Sequence, residues 1–328
     1  MASGVSIEVL DLRHFAAPVL QPLLKVEGEL WRKRLHWDYH ISARLLTQYL
    51  DNHMLPGYAA IDGDHVVGYS FCVYEDSKAI IGNVFALPGE GLNGILQARK
   101  IEQMLLGEVI DLLRNSPQID RIESQMLLPP SGSFFETFEQ AGFTLYRRLF
   151  MVKRLEWMWS APLVKLPANL ELRAWRDEDL APAARLISAA YRDHPDGYIN
   201  DQYRTVHGSM RFLNNIVRFS GCGVFSPTVS HVIVDRVSRE LVAMVLGSRV
   251  SSEAGHVTQI CVHPAYRGQG LGRMLLGVAA FGFQRLGVEE ISLTVTEENR
   301  NAIALYESED YRQAHSFDAA IWLRRRMA

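Results

Sequence analysis

The sequence predicts an α/β protein built from two similar halves, each a mixed sheet flanked by helices. Three observations carry this. Strand-like and helix-like segments alternate along the chain. One layout of segments occurs twice. And the junction "VHPAYRGQGLGRMLL", Val262 to Leu276, puts an Arg and three glycines between a β-branched run and an apolar helix pattern.

The elements follow in order. "IEVLDLRHFAAPVLQPLL" opens the chain, and "LELRAWRDEDLAPAARLI" from Leu170 repeats it: a short strand, a polar turn and an amphipathic helix. A second helical stretch follows in each half. "GYAAIDGDHVVGYSFCV" and "SHVIVDRVSRELVAMVLGSRV" each hold two alternating runs split by a polar turn, the pattern of a β-hairpin. "AIIGNVFALP" parallels "GHVTQICVHP" as the next strand. "MLLG" then appears at Met104–Gly107 and Met274–Gly277, each inside an apolar helix. A strand, a helix and a last strand close each copy. The order is β, α, helical stretch, hairpin, β, α, β, α, β, which gives two domains, 1–155 and 169–328. Residues 156–168 form a Pro-containing linker.

The chain has 328 residues, 48% of them apolar and 22% charged, enough for two cores. A net charge of −3 gives no electrostatic reason to expect nucleic acid or an acidic membrane surface. Three dispersed cysteines, Cys72, Cys222 and Cys261, make neither a metal-site spacing nor a disulfide framework, so no metal is expected. No stretch approaches a membrane span and no signal-peptide pattern opens the chain, so the expected location is the cytoplasm.

Three glycines, Gly268, Gly270 and Gly272, exceed what one tight turn needs. At a helix start they suggest a nest of backbone N–H groups that binds phosphate. A dinucleotide fingerprint would need Gly at 273, where Arg273 stands, and no Gly-Lys-Ser/Thr follows for a Walker motif.

"QICVHPAYRGQGLGRMLL" resembles motif A of the GCN5-related N-acetyltransferase (GNAT) superfamily, Q/R-x-x-G-x-G/A, with Arg267, Gly270 and Gly272 in place. The family's second signature, V-x-x-x-N-x-x-A-x-x-L-Y, is met by Val295, Asn299, Ala302, Leu305 and Tyr306, with Asp310-Tyr311 in place of Gly-Phe. The whole chain looks like a tandem GNAT protein, each domain a mixed, mostly antiparallel sheet with splayed central strands. The resemblance implies acetyl-CoA or another acyl-CoA as co-substrate. Its diphosphate would lie on Arg267, Gly268, Gln269, Gly270, Leu271, Gly272 and Arg273. Its pantetheine arm would lie along Ile260, Cys261 and Val262, with Asn299 hydrogen-bonded to it. Tyr306 would be the proton donor to the leaving thiolate, and a small-molecule or peptide amine the acceptor. A non-catalytic acyl-CoA sensor is the alternative.

The base is less legible. Many relatives carry a carboxylate on the strand before the loop, but here Thr258 and Gln259 stand there. His256, Glu253, Asp193, His194 and Asp196 are the candidates. Aspartates 193, 196, 201 and 235 would favour a cationic acceptor. In the first half, Lys100 and Glu102 fall where Gly270 and Gly272 do, and Phe138 falls at the Tyr306 position. That half is expected to keep the fold without catalysis and to pack as a partner of the second. Trp31, Trp37 and Tyr39 are expected on a packed helix face.

Overall fold

The computed structural model describes residues 7–155, 166–218 and 223–324. Most of the 156–168 linker, Cys222 and most of the Arg324–Arg326 basic cluster lie outside the described residues. The chain forms two compact units. One holds Met1–Leu35, Tyr39–Arg148 and Ser316–Ala328, and the other His36–Asp38 and Leu149–His315.

In the first unit, β1 (Glu8–Asp11) leads into α1 (Ala17–Leu35) and α2 (His40–Asp51), then the hairpin β2 (Gly57–Asp62) and β3 (His65–Glu75). Next come β4 (Lys78–Ala86), α3 (Gly91–Arg114), β5 (Arg121–Gln125), α4 (Phe135–Gln140) and β6 (Thr144–Arg154). The second unit repeats the plan. β7 (Leu170–Ala174) leads into α5 (Leu180–Tyr191), α6 (Asp196–Ile199) and α7 (Val206–Arg218). Then follow β8 (Val224–Phe225), β9 (His231–Asp235), β10 (Leu241–Arg249), β11 (Ala254–Val262), α8 (Leu271–Arg285), β12 (Glu290–Thr296), α9 (Arg300–Ser308) and β13 (Arg312–Leu323). Both halves thus follow the order read from the sequence.

β6 from Leu149 on counts with the second unit and β13 from Ser316 on with the first, so the strand order is β1-β2-β3-β4-β5-β13 in the first unit and β6-β12-β11-β10-β9-β7 in the second, with β8 on β10. β4/β5 and β11/β12 pair parallel, and every other pair with a described register is antiparallel. Such a mixed sheet needs helices on both faces. In the second unit α8 buries Leu271, Met274, Leu275, Ala279 and Phe283 against Val245, Val257, Ile291 and Leu293. On the other face α5 lays Ala183, Ala184, Leu186 and Ile187 on Met244, Leu246 and Cys261. Gly247 and Gly255 make room for the Phe283 ring: a Cβ at Gly255 would lie 2.5 Å from it. Among the described residues no helix is long and apolar enough to cross a membrane.

In each unit the parallel ladder is brief. β11 pairs β12 only from Ala254↔Glu290 to His256↔Ser292, yet β11 runs on to Val262 and β12 to Thr296. β4 pairs β5 only from Lys78↔Arg121 to Ile81↔Ser124 and runs on to Ala86. Beside each divergence lies a bulge. Gln259 faces Leu246 and Val257 faces Gly247, which leaves Thr258 extra. Asn83 faces Phe71 and Ile81 faces Cys72, which leaves Gly82 extra.

In the first unit a buried polar group lies on β3 and β4 next to the bulge. Glu27 of α1 is fully buried and accepts hydrogen bonds from Tyr69 Oη (2.5 Å), Asn83 Nδ2 (2.7 Å) and Trp31 Nε1 (3.1 Å). Tyr39, stacked on Trp31 at 5.3 Å, joins the same group. Trp31 and Tyr39 are therefore packed, as expected; Trp37 instead belongs to the second unit, against His256 and Phe150. With "MLLG" aligned, Leu271 falls on Ile101, but α3 already starts at Gly91, so the extra residues of the first copy are helical. Glu102, at the Gly272 position, accepts from the Ala86 backbone N–H at the end of β4 (3.3 Å). Phe138 packs between Phe134 and Phe143.

Burial pushes the Glu102 carboxyl up to about 7, from 4.5. A carboxyl raised on folding favours the folded chain while protonated. Its contribution is fully present below about pH 4.5 and is lost as pH rises through about 7. Glu102→Gln should flatten the part of the stability–pH curve that falls across this window, a span of up to ~3 kcal/mol. Chemical denaturation from pH 4.5 to 8 measures it; the same slope in wild type and variant would show that Glu102 carries none of it.

Candidate active site

The divergence of β11 from β12 leaves one edge of β11 unpaired beyond His256. The Ile260 backbone N–H on that stretch is met by the Gln259 side-chain Oε1 at 3.1 Å. Tyr191, the last residue of α5, lies over it: its hydroxyl is 3.3 Å from Gln259 Oε1 and 3.4 Å from the Ile260 carbonyl. One proton serves only one of these acceptors. Burial raises the Tyr191 phenol well above its ordinary range, so it stays a neutral donor. Gln259 is 94% buried by the complement of its 6% exposure, and its Nε2 has no partner. Burial likewise pushes the Cys261 thiol far up, so it is not a thiolate.

At the end of β11 the chain turns through Pro264–Tyr266 and reaches the glycine loop. Gly268 and Gly270 both take φ +77°, in the left-handed region that disfavours a Cβ. Gly270 is the N-cap of α8, whose first backbone N–H groups have no partners within the helix. A Cβ at Gly268 or Gly270 would meet nothing within 4 Å, so conformation and not crowding requires glycine there. At Gly272 a Cβ would lie 3.1 Å from Leu305 of α9. Arg267 turns its guanidinium to the Ala190 and Val262 carbonyls at 2.9 and 3.3 Å, which ties the loop to the end of α5. Arg273 reaches Ser308 Oγ and Glu309.

A cleft of about 420 Å³ opens here, lined by residues that include Ala190, Arg192, Asp193, His194, His263 and Arg267. Two arginines against one aspartate make its wall cationic.

Beyond the end of β12, Asn299 is the N-cap of α9, its side chain accepting from the Ala302 N–H at 3.2 Å. Tyr306 lies about two turns further along α9, buried, with its ring 6.0 Å from Tyr311. Its hydroxyl is close enough to Tyr191 to influence that phenol's ionisation.

The expected base candidates part company. His256 sits at the last rung of the ladder, 2.9 Å from Ser292 Oγ and enclosed by the rings of Trp37 and Phe150. Glu253 is exposed just before β11 begins, at the far end of that strand from the glycine loop. Asp235 binds the Val237 and Ser238 N–H groups, the Tyr266 hydroxyl and the Asn169 amide, so it braces the β9–β10 turn and is no part of an acceptor wall. Asp193 and His194 line the cleft, and Asp196 lies beside His194. Asp196 is buried, and Thr296 Oγ1 at the tip of β12 donates to it. Sequence reading missed Tyr191, Gln259 as a buried polar pair, and Thr296. A polar residue on an otherwise apolar strand was the available signal for the last two.

The comparisons with known proteins agree with this geometry. Residues 225–310 match the family model described as the acetyltransferase (GNAT) family. A mycothiol acetyltransferase of Kocuria rhizophila is 28% identical over 265 residues, 78% of this chain and 81% of that protein. Another, of Geodermatophilus obscurus, is 25% identical over 274 residues, 83% and 79% of the two chains. A GCN5-related N-acetyltransferase from Sphaerobacter thermophilus superposes with a TM-score of 0.65 at 14% identity, covering 98% of this chain and 97% of that one. A tandem GNAT protein from the clavulanic acid biosynthesis pathway does so with a TM-score of 0.60 at 12% identity, covering 98% and 100%. Residues 225–310, which hold the strand divergence and the glycine loop, thus carry an acetyltransferase (GNAT) family domain, and the fold over nearly the whole chain is similar to that of tandem GNAT proteins.

Proposed function

We propose that the second unit transfers an acetyl group from acetyl-CoA to a primary amine by direct attack on the thioester. One observation carries the reading: a parallel strand pair that separates after three rungs, with a left-handed glycine loop and a helix N-terminus at the end of the freed strand. The N–H groups of Gly268, Gln269, Gly270, Leu271, Gly272 and Arg273 take the diphosphate, beside the cationic wall of Arg267 and Arg192. The freed edge at Ile260, Cys261 and Val262 pairs with the pantetheine arm. The thioester carbonyl takes the Ile260 N–H that Gln259 Oε1 now covers. The first unit binds no acyl-CoA, because Glu102 already occupies the Ala86 N–H at the matching strand end.

Two of the relatives above are named for mycothiol, so the acceptor of mycothiol acetyltransferases is the first small-molecule amine to assay. Tyr306 hands a proton to the departing thiolate. With reference pKa values of about 10 for the phenol and about 8.5 for a thiol, full transfer is uphill by ~2 kcal/mol. The hydroxyl therefore serves best when its proton moves as the amine nitrogen gives one up.

Steady-state release of free thiol from acetyl-CoA with a panel of amines tests the reaction; a non-catalytic sensor would bind CoA and release none. Tyr306→Phe should keep CoA binding and lose about 10²–10⁴-fold in kcat. Unchanged turnover would remove Tyr306 from the chemistry.

Gly270→Ala should cost about 1–2 kcal/mol of backbone strain. Gly270→Glu adds a carboxylate where the diphosphate lies, with no clash in the free protein. Its Kd for CoA should rise at least about tenfold beyond that of Gly270→Ala. Equal affinities in the two variants would place the diphosphate elsewhere.

A further inference from the structure

We propose that His194 is the general base of the second unit and that Asp196 is its positioning residue; this rests on the acyl-transfer reading above. Four contacts define the arrangement. The His194 ring lines the cleft beside Arg267. Its Nδ1 lies 3.7 Å from Asp196 Oδ2 and 3.2 Å from the Asp196 backbone N. Its Nε2 lies 3.3 Å from Asn299 Nδ2. Asp196 is itself anchored from β12 by Thr296.

The Asn299 cap decides where the proton of neutral His194 sits. Asn299 Oδ1 is committed to the Ala302 N–H, so the amide turns its NH₂ toward the ring. A proton on Nε2 would oppose that NH₂ and would set the Nδ1 lone pair against the Asp196 carboxylate. A proton on Nδ1 relieves both conflicts but opposes the Asp196 backbone N–H 3.2 Å away, so the carboxylate charge at 3.7 Å, beyond hydrogen-bond reach, is what favours that tautomer. Neutral His194 thus directs N–H at Asp196 and presents a lone pair on Nε2, on the side where α9 brings Asn299. The contact there is long, so an incoming amine displaces it at small cost.

The groups that face the ring are few. Asp196 lies on α6, and Tyr191 meets the ring edge-on with centroids 5.3 Å apart at the end of α5. Arg192 and Asp193 flank it, and His263 and Arg267 line the same cleft. Asn299 and Thr296 contribute dipoles and no charge.

The proton count closes. Nε2 takes one proton from the bound ammonium. The free amine forms the C–N bond, and the C–S bond breaks. The thiolate takes the Tyr306 proton, which the second amine proton restores. His194 returns its proton to solvent. This also accounts for Thr258 and Gln259 on the strand: with the base supplied from the loop, no carboxylate is needed there.

The test is a pH–rate profile of kcat/KM for the full chain with two amines of different pKa, acetyl-CoA saturating. Wild type should show an acidic limb that stays in place when the amine is changed. His194→Gln should lose about 10²–10⁴-fold in the neutral range, lose that limb, and recover as pH approaches the amine's pKa. Asp196→Asn, nearly isosteric, should keep folding and move the limb to lower pH, which a merely structural role would not do. A limb unchanged in both variants, at full thermal stability, overturns the base and leaves acyl transfer standing. No thiol release by wild type with any amine overturns the acyl-transfer reading and the base with it.

Discussion

The second unit depends on one constraint: two parallel strands that stay paired for three rungs and then part. Backbone groups released from a ladder must find partners or water. On β11 they are released in order. Thr258 is squeezed out as a bulge and donates to the Leu246 carbonyl, which re-aims the strand. Gln259 folds back on the Ile260 N–H, and Tyr191 covers both. The strand then ends in a loop that only left-handed residues can close, directly ahead of α8. An edge that needs a hydrogen-bonded partner and an end that offers free N–H groups are thus set on one continuous stretch of chain.

The first unit meets the same constraint with its own side chains. Its strands part after four rungs beside a bulge at Gly82, one residue before Asn83, as Thr258 precedes Gln259. There the protein's own side chains take the polar groups next to the bulge. Glu27, Tyr39, Tyr69, Trp31 and Asn83 form a buried polar group, and Glu102 takes the N–H at the end of β4. Burying an ionisable carboxylate is costly unless its oxygens are well bonded. Glu27 is, and its carboxyl is still pushed up by burial. The loop that would need glycines has become the first turns of α3, where Leu92, Asn93 and Ile95 adopt ordinary helical geometry. The two units therefore share a backbone plan and differ in what fills it.

The plan was legible because it rests on periodicity. The hairpins, the "MLLG" helices and the glycine loop fall where the sequence sets them, and Lys100, Glu102 and Phe138 mark where the first half departs from the second. The fillers were not legible. Glu27 and Asn83 are separated by 56 residues and Asp196 and Thr296 by 100, and nothing local marks either pair as partners. His256 shows the converse: a histidine near the glycine loop in sequence reads as a base, yet alternation along β11 buries it between two aromatic rings. Asp235 misleads in the same way, since an aspartate that closes a turn looks like one that faces a cleft.

The central claim is that one parting of strands is open to acyl-CoA and the other is filled. Isothermal titration of the full chain with CoA tests it most directly. The account predicts a single site per chain, weakened in the Gly270→Glu variant with no second site remaining. Two sites per chain, or one site that Gly270→Glu leaves unchanged, would contradict it.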